Sequence, residues 1–331
     1  MERRSFVGAL AGGLLAAAPG LARARPGVTV YRIGVLDAVP EAANAANLSA
    51  FREALGELGY VEGSNLIIDY RSADGRPERF RDLALELAAR QPHAIVTRGD
   101  PAAMAARLAT TTTPIVMASS TDPAAVGIVK RLERPGGNVT GLHGMTPVEV
   151  GGTRLQILKE LVPRLTRVGV LWNPATHHTP LVVREINRTA SALRVQVVSF
   201  ELRGPENVRF ERTLEEAILS GIDALVTVED QLTIAYRARL VEFAAMGRLP
   251  AMYGLREFVE AGGLIAYGAD RRHMFRRAAG YVDRILKGSR PADLAIEPPS
   301  RFELVVNARA AAALNLSVPP ALLARADEVL R

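Results

Sequence analysis

The stretch that decides the fold of this 331-residue chain is residues 134–144, which read RPGGNVTGLHG in one-letter code. It consists of turn-forming residues around a brief extended pair, Val139 and Thr140. On either side of it the sequence repeats one pattern, a short apolar run followed by a helical segment. A segment rich in proline and glycine between two similar halves is typical of a connection between two domains. We therefore predict a hinge strand here, with a ligand bound in the cleft beside it.

The apolar runs indicate the fold class. They lie at residues 33–36, 67–68, 94–96, 115–117, 168–171, 195–200, 224–228, 251–252 and 264–268. Segments with apolar residues at helical spacing separate them, and an extended run at 302–306 and a helix at 307–314 follow. Runs buried on both faces, alternating with helices, indicate parallel sheets covered on both sides. Because the length exceeds that of a single core, we expect an α/β fold of two doubly wound parallel-sheet lobes.

The N-terminus has the order of an export signal. Two arginines at positions 3 and 4 precede the apolar run 6–18, and residues 22–24 form a small-x-small cleavage site. The run is too short and too often interrupted by glycine to span a membrane stably. Residues 3–6, RRSF, resemble a twin-arginine signal. We expect residues 1–24 to be a signal peptide of a periplasmic protein; the alternative is an N-terminal helix of the mature fold.

Composition excludes several classes of function. The chain has no cysteine, so it has no disulfide, thiolate chemistry or cysteine-bound metal. Of its 41 basic and 35 acidic residues, residues 1–24 hold three and one, which leaves a mature net charge of +4. With only 5% aromatic residues, this charge does not indicate nucleic-acid binding. No nucleophile elbow, phosphate loop, zinc-protease motif or Rossmann fingerprint occurs, so we expect neither an enzyme nor a cofactor.

Six motifs occur in one order along the chain. They are LGYVEGSN at 58–65, RPGGNVTG at 134–141, LWNP at 171–174, REFVEAGG at 256–263, FELVVN at 302–307 and PPALLARAD at 319–327. In their residue sequence and in their order along the chain, these motifs resemble those of the ABC-transporter solute-binding proteins whose better-known members take up aromatic amino acids. The resemblance runs from about Arg32 to the end of the chain.

This resemblance implies a type I periplasmic-binding-protein fold with three crossing strands, near 139–143, 267–269 and 295–299. It implies a first lobe of residues 28–140 plus 268–297 and a second lobe of 141–267 plus 298–331. The implied function is capture of a small solute in the interlobe cleft, hinge closure and delivery to a membrane permease, by a monomer. The alternative is a ligand-sensing input protein for a membrane receptor, since the same fold serves sensors; a lactose-repressor-like regulator would need an N-terminal helix-turn-helix.

Candidate ligand-binding residues directly follow the apolar runs or lie in the hinge. Ligands of open α/β sheets bind outside the carboxyl ends of the strands, where helix N-termini also point. The candidates are Asp37, Arg98, Gly99, Asp100, Ser119, Ser120, Thr121, Asp122, His143, Asn173, Glu229, Asp230, Tyr253 and Tyr267. No metal site is expected: the pair at 177–178 has no partner at metal-ligand spacing and is interpreted as a surface loop.

Several candidates have two interpretations. Asp100 and Asp122 precede proline and are either ligand contacts or helix N-caps. Arg98 either turns outward or pairs with an anionic group of the ligand. Glu229 and Asp230 either receive an ammonium group or form a surface turn, and the single tryptophan, at position 172, either packs in the core or stacks on ligand. Opposed charges facing one cleft predict a zwitterion such as an amino acid.

Overall fold

Two α/β lobes make up the computed structural model of this chain, which describes residues 29–203 and 209–331. The expected signal peptide at residues 1–24 lies outside the described residues. Among the helices of the two described ranges, none combines the length and apolar character that crossing a membrane requires.

The first lobe is built on a sheet of five parallel strands. These are β1 (Tyr31–Asp37), β2 (Leu66–Ser72), β3 (Ala94–Arg98), β4 (Ile115–Ser119) and β5 (Val139–Gly141), in the spatial order β2-β1-β3-β4-β5. Between them run the helices α1 (Ala45–Glu57), α2 (Phe80–Ala89) and α3 (Asp100–Ala109). Strands β1, β3 and β4 are almost wholly buried, as apolar runs covered on both faces require.

The chain then enters the second lobe. The strands there are β6 (Arg167–Trp172), β7 (Gln196–Glu201), β8 (Ala224–Thr227), β9 (Ala251–Tyr253) and β10 (Ile265–Ala269). The helices are α4 (Glu149–Leu161), α5 (Thr179–Ala192), α6 (Arg209–Leu219), α7 (Gln231–Ala235), α8 (Arg237–Met246) and α9 (Arg256–Glu260).

After β10 the chain returns to the first lobe and leaves it again. Helix α10 (Arg271–Leu286) packs on α1 in the first-lobe core. The last elements, β11 (Phe302–Asn307), α11 (Ala308–Ala313), α12 (Pro320–Arg325) and β12 (Glu328–Leu330), belong to the second lobe. Its sheet has the order β12-β11-β10-β9-β8-β6-β7, and only the β10–β11 pair is antiparallel. This pairing arises because the chain re-enters beside the end where β10 left.

The predicted fold class, two doubly wound parallel-sheet lobes, is confirmed. Three local expectations were wrong or incomplete. The helical turn expected after Asp122 is a series of turns up to Gly127, whose positive φ of 74° suits a turn end. Helix α9 and strand β12 were not anticipated. The division into residues 28–140 plus 268–297 and 141–267 plus 298–331 stays a prediction.

The hinge stretch ties β4 to the segment that returns from α10. The Leu142 amide donates to the Met117 carbonyl at 2.7 Å, and Leu142 also pairs with Glu297. The Thr140 hydroxyl donates to the Leu294 carbonyl at 2.7 Å. Gly141 has φ 122°, and a Cβ there would lie 2.3 Å from the Met117 carbonyl oxygen. A glycine at 141 is therefore required both by its backbone angle and by the closeness of β4.

We predict that Gly141→Ala destabilises the protein by about 2–4 kcal/mol, because the left-handed angle is strained and strand β4 must move. Gly137→Ala is the matched control from the same stretch, since a Cβ there meets nothing within 4 Å. It should change the unfolding free energy by less than about 0.5 kcal/mol. Urea unfolding of both variants measures the difference, and equal stabilities would contradict the proposed role of Gly141.

Candidate ligand-binding cleft

A narrow cavity of about 40 Å³ lies between the two lobes, which is room for a few water molecules. Both lobes and the crossing segments line it. The lining residues are Ser119, Ser120, Thr121, Gly144, Glu229, Asp230, Ile234, Leu255, Ala269, Arg271 and Met274. Five of the predicted site residues, at positions 119–121, 229 and 230, are thus brought together.

The first-lobe wall is the loop that follows β4. The Asp100 carboxylate accepts hydrogen bonds from the Ser120 hydroxyl and from the Thr121 amide, the latter at 2.8 Å. The N-cap interpretation of Asp100 is therefore wrong: Gly99 precedes the helix with φ 87°, and the carboxylate orders the neighbouring loop instead. The Ser119 hydroxyl makes no hydrogen bond to any described residue, although Ser119 is only 7% exposed. It remains available to a ligand.

Asp122 closes the turn beyond this loop. Its carboxylate accepts from the Ala125 amide at 3.0 Å, which is a cap-like bond, but the segment it caps is a turn and not a helix.

The second-lobe wall depends on a buried arginine that sequence analysis missed. Arg154 of α4, only 1% exposed, donates to both Glu229 oxygens at 2.5 and 2.6 Å and to the Tyr267 carbonyl at 2.7 Å. Arg154 shares a helix face with the buried Leu158 and Leu161, and an arginine on an apolar face was the available signal for a carboxylate partner. Glu229 therefore does not lie in a surface turn, and its carboxylate is paired with Arg154.

Two glycines make room for this ion pair. A Cβ at Gly254 would lie 2.1 Å from a Glu229 oxygen, and one at Gly268 would lie 1.8 Å from the Gly254 carbonyl oxygen. The backbones of β10 and of the segment after β9 therefore approach the Arg154–Glu229 pair too closely for any side chain.

Asp230 is an N-cap and not an open carboxylate. It forms a capping box with Thr233 at the start of α7, and its second oxygen accepts from Asn173 at 2.6 Å and from Thr176 at 2.8 Å. It is 2% exposed. Asp230 and Asn173 thus stabilise the second-lobe wall, and the surface-turn interpretation is wrong for Asp230 as well.

Arg98 takes neither of its expected orientations. Its Nε donates to Asp37 at 3.0 Å, and its Nη1 lies 3.8 Å from Glu257 of α9. Asp37 also accepts from the Asn44 amide at 2.7 Å and is fully buried. Arg98 is therefore paired within the protein, in a position only 13% exposed.

The aromatic candidates do not line the cavity. Tyr253 is fully buried and stacks on Phe258 with ring centroids 4.8 Å apart, so its assignment to the site is corrected to the second-lobe core. The Tyr267 ring lies 6.2 Å from that of Phe302, and Tyr267 serves the site only through its carbonyl. Trp172 packs against the second-lobe core, which agrees with its packing interpretation.

Two histidines are enclosed without a full set of partners. Within the described residues, His143 Nδ1 and His178 Nε2 have no hydrogen-bond partner. The surface-loop expectation holds for the exposed His177 and is wrong for His178, which is half-buried. Burial lowers the pKa of both imidazoles, and nearby acids, Asp122 for both and Glu229 for His178, oppose this without reversing it. No three potential ligands in the described ranges are arranged to hold a metal ion.

The comparisons with known proteins agree with one another. A family model described as ABC transporter substrate binding protein matches residues 32–330. The chain is 25% identical over 266 residues to a tyrosine-binding protein of Clostridioides difficile (strain R20291), covering 80% of this chain and 75% of the relative.

Two solved structures are similar over 91% of this chain, each at 25% identity. One is an ABC domain in complex with L-Trp from Streptococcus pneumonia, with a TM-score of 0.77 and 100% of that chain covered. The other is the ligand-free, open structure of a substrate binding protein with adhesive properties from Clostridium difficile, with a TM-score of 0.70 and 99% of that chain covered.

We predict that acidification destabilises the protein in part through His178. Its pKa is lower in the folded than in the unfolded state, so its contribution is complete above the unfolded value of about 6.5 and is lost as pH falls below it, when the unfolded chain takes up the proton first. Between about pH 7.5 and about pH 5, the melting temperature of His178→Gln should fall less than that of the wild type. His177→Gln, the exposed neighbour, is the control and should follow the wild type.

Proposed function

The chain belongs to the family of ABC transporter substrate binding proteins, and we propose that it captures a small amino acid or related carboxylate between its lobes and delivers it to an ABC permease. The observation that carries the proposal is the interlobe cavity, across which first-lobe hydroxyls face a second-lobe carboxylate. Two relatives, a tyrosine-binding protein and an ABC domain in complex with L-Trp, support the amino-acid class.

The carboxylate of the solute would bind at the first-lobe wall. Ser119 offers a hydroxyl that no described residue uses, and the Ser120 hydroxyl is held in place by Asp100. Arg98, an obvious alternative, is already paired with Asp37. The single proton of the Ser120 hydroxyl is already donated to Asp100, so we assign the carboxylate to the Ser119 hydroxyl, whose proton is free to be donated to an anion.

The ammonium group would bind at the second-lobe wall, at Glu229. Each Glu229 oxygen accepts one bond from Arg154, and Oε1 also accepts from the Thr146 hydroxyl at 3.5 Å; both oxygens keep further lone pairs, and the side chain is 15% exposed. Asp230, the other acid of the pair, is saturated by its own cap and by Asn173. Glu229 is thus the acid with acceptor capacity left for the solute.

The side chain of the solute would meet Ile234, Leu255 and Met274. No aromatic ring is among the described residues that line this cavity. We propose a solute with a small or aliphatic side chain in place of the aromatic ones named for the relatives. Catalytic turnover is not part of the proposal. The proposal also includes export through residues 1–24 by the twin-arginine route and action as a periplasmic monomer.

A thermal-shift screen of the mature protein against amino acids and amine-free carboxylates tests the substrate class. An aliphatic amino acid should raise the melting temperature more than its amine-free analogue, because only the amino acid engages Glu229. If the analogue raised it equally, the ammonium assignment would be wrong.

We predict that Ser119→Ala weakens binding of the solute so identified by about tenfold or more, because a hydrogen bond to a charged group is lost, while stability changes by less than about 0.5 kcal/mol. Ser120→Ala is the matched comparison: it removes a bond to the buried Asp100, so it should cost about 1–3 kcal/mol of stability. Calorimetric titration and urea unfolding measure the two effects. Unchanged affinity in Ser119→Ala contradicts the proposed carboxylate site.

A further inference from the structure

Four charged side chains of alternating sign run across the cleft. Asp37, Arg98, Glu257 and Arg271 are here called the interlobe ion chain. Arg98 Nε donates to Asp37 at 3.0 Å, Arg98 Nη1 lies 3.8 Å from Glu257 Oε1, and Arg271 Nη1 donates to the same oxygen at 2.7 Å. Arg98, Glu257 and Arg271 are 13%, 20% and 13% exposed. These groups are largely shielded from water, so their attraction is stronger than that of surface pairs.

The chain of charges joins the two lobes. Asp37 and Arg98 end strands β1 and β3 of the first lobe, and Arg271 begins α10, which packs in that lobe. Glu257 belongs to α9, which packs on β10 of the second lobe. Of the pairs in this ion chain, only Arg98–Glu257 joins side chains that would move apart with the lobes, because Arg271 lies beside the β10 crossing. Separation of the lobes would therefore break an ion pair of opposite charges.

The two arginines act differently on Glu257. Arg271 comes two residues after the end of β10, beside the crossing, so it stays near the second lobe when the lobes move. Arg98 lies on a separate strand and approaches Glu257 only when the lobes are together. Burial disfavours the ionised form of Glu257, but Arg271 and Arg98 outweigh it and lower the pKa of the carboxyl. Glu257 is thus held as an anion that faces Arg98.

We propose that the Arg98–Glu257 contact is a latch that draws the lobes together before any solute binds, with Arg271 holding the Glu257 carboxylate in place. By raising the closed fraction of the solute-free protein, the latch lowers the cost of closure and raises the apparent affinity for solute. This effect on affinity rests on the proposed function; the latch itself does not.

The absence of cysteine allows a direct measurement. Glu78→Cys and Arg184→Cys, at exposed positions of the first and second lobes, place a pair of fluorophores for single-molecule energy transfer in the full mature chain without solute. In this labelled protein, Glu257→Gln should raise the ratio of open to closed molecules about threefold or more, because the amide cannot attract Arg98 as a carboxylate does.

Glu260→Gln is the matched control. Glu260 lies on the same helix and pairs with Arg256 at 3.3 Å inside the second lobe, so its loss changes the same charge without touching the cleft. The proposed latch is contradicted if Glu257→Gln has the same ratio of open to closed molecules as the wild type, or if Glu260→Gln raises that ratio as much as Glu257→Gln does.

A measurement on the unsubstituted side chains covers the case in which Glu257→Gln does not fold. In the labelled wild type, about 1 M salt should shift molecules toward the open state, since the added ions stabilise the separated, exposed charges of that state more than the shielded pair of the closed state. A distribution independent of salt overturns the latch. All these outcomes are read without solute, so failure of the latch and failure of solute binding are told apart.

Discussion

The buried guanidinium of Arg154 is the interaction on which the cleft depends. It joins helix α4, the carboxylate after β8 and the carbonyl of β10 through three hydrogen bonds, at a depth where only 1% of the side chain is exposed. Removal of one partner of such a pair leaves an uncompensated buried charge, which costs about 3–5 kcal/mol. The close approach at Gly254 and Gly268 follows from the same pair, because the backbones must come near enough to enclose it.

The architecture was predictable because it follows from local rules. Apolar runs such as Val168 to Leu171 are flanked by helices with one apolar face. The side chains of such a run are buried on both sides only when the sheet is covered on both faces. The turn-rich stretch around Gly141 marked a crossing because no sheet or helix interior tolerates that composition. The antiparallel β11 was not predictable in the same way, since its direction depends on where the chain re-enters the second lobe.

The site was only half predictable, and the reason is that charge pairing is non-local. The prediction that Asp230 follows a strand and lines the cleft was correct. Its partners Asn173 and Thr176, however, lie more than 50 residues away in sequence. Arg98 illustrates the same limit, since Asp37 lies 61 residues earlier. Position at the carboxyl end of a strand identifies a residue near the cleft. Whether its charge is free depends on contacts that no local pattern contains.

The pattern of pairing also bears on which solutes the cleft favours. The charges of Arg98, Arg154 and Arg271 are each met by a carboxylate of the protein, so no arginine among the described residues of the cleft wall is left to attract an anion. A monoanion would therefore have to bind beside Glu229 with hydroxyl donors alone. In the proposed orientation a zwitterion would place its positive end at Glu229 and its negative end at Ser119, and it would bring no net charge into a cavity from which most water is excluded. The fixed ion pairs of the wall thus favour solutes that carry both charges over solutes that carry one.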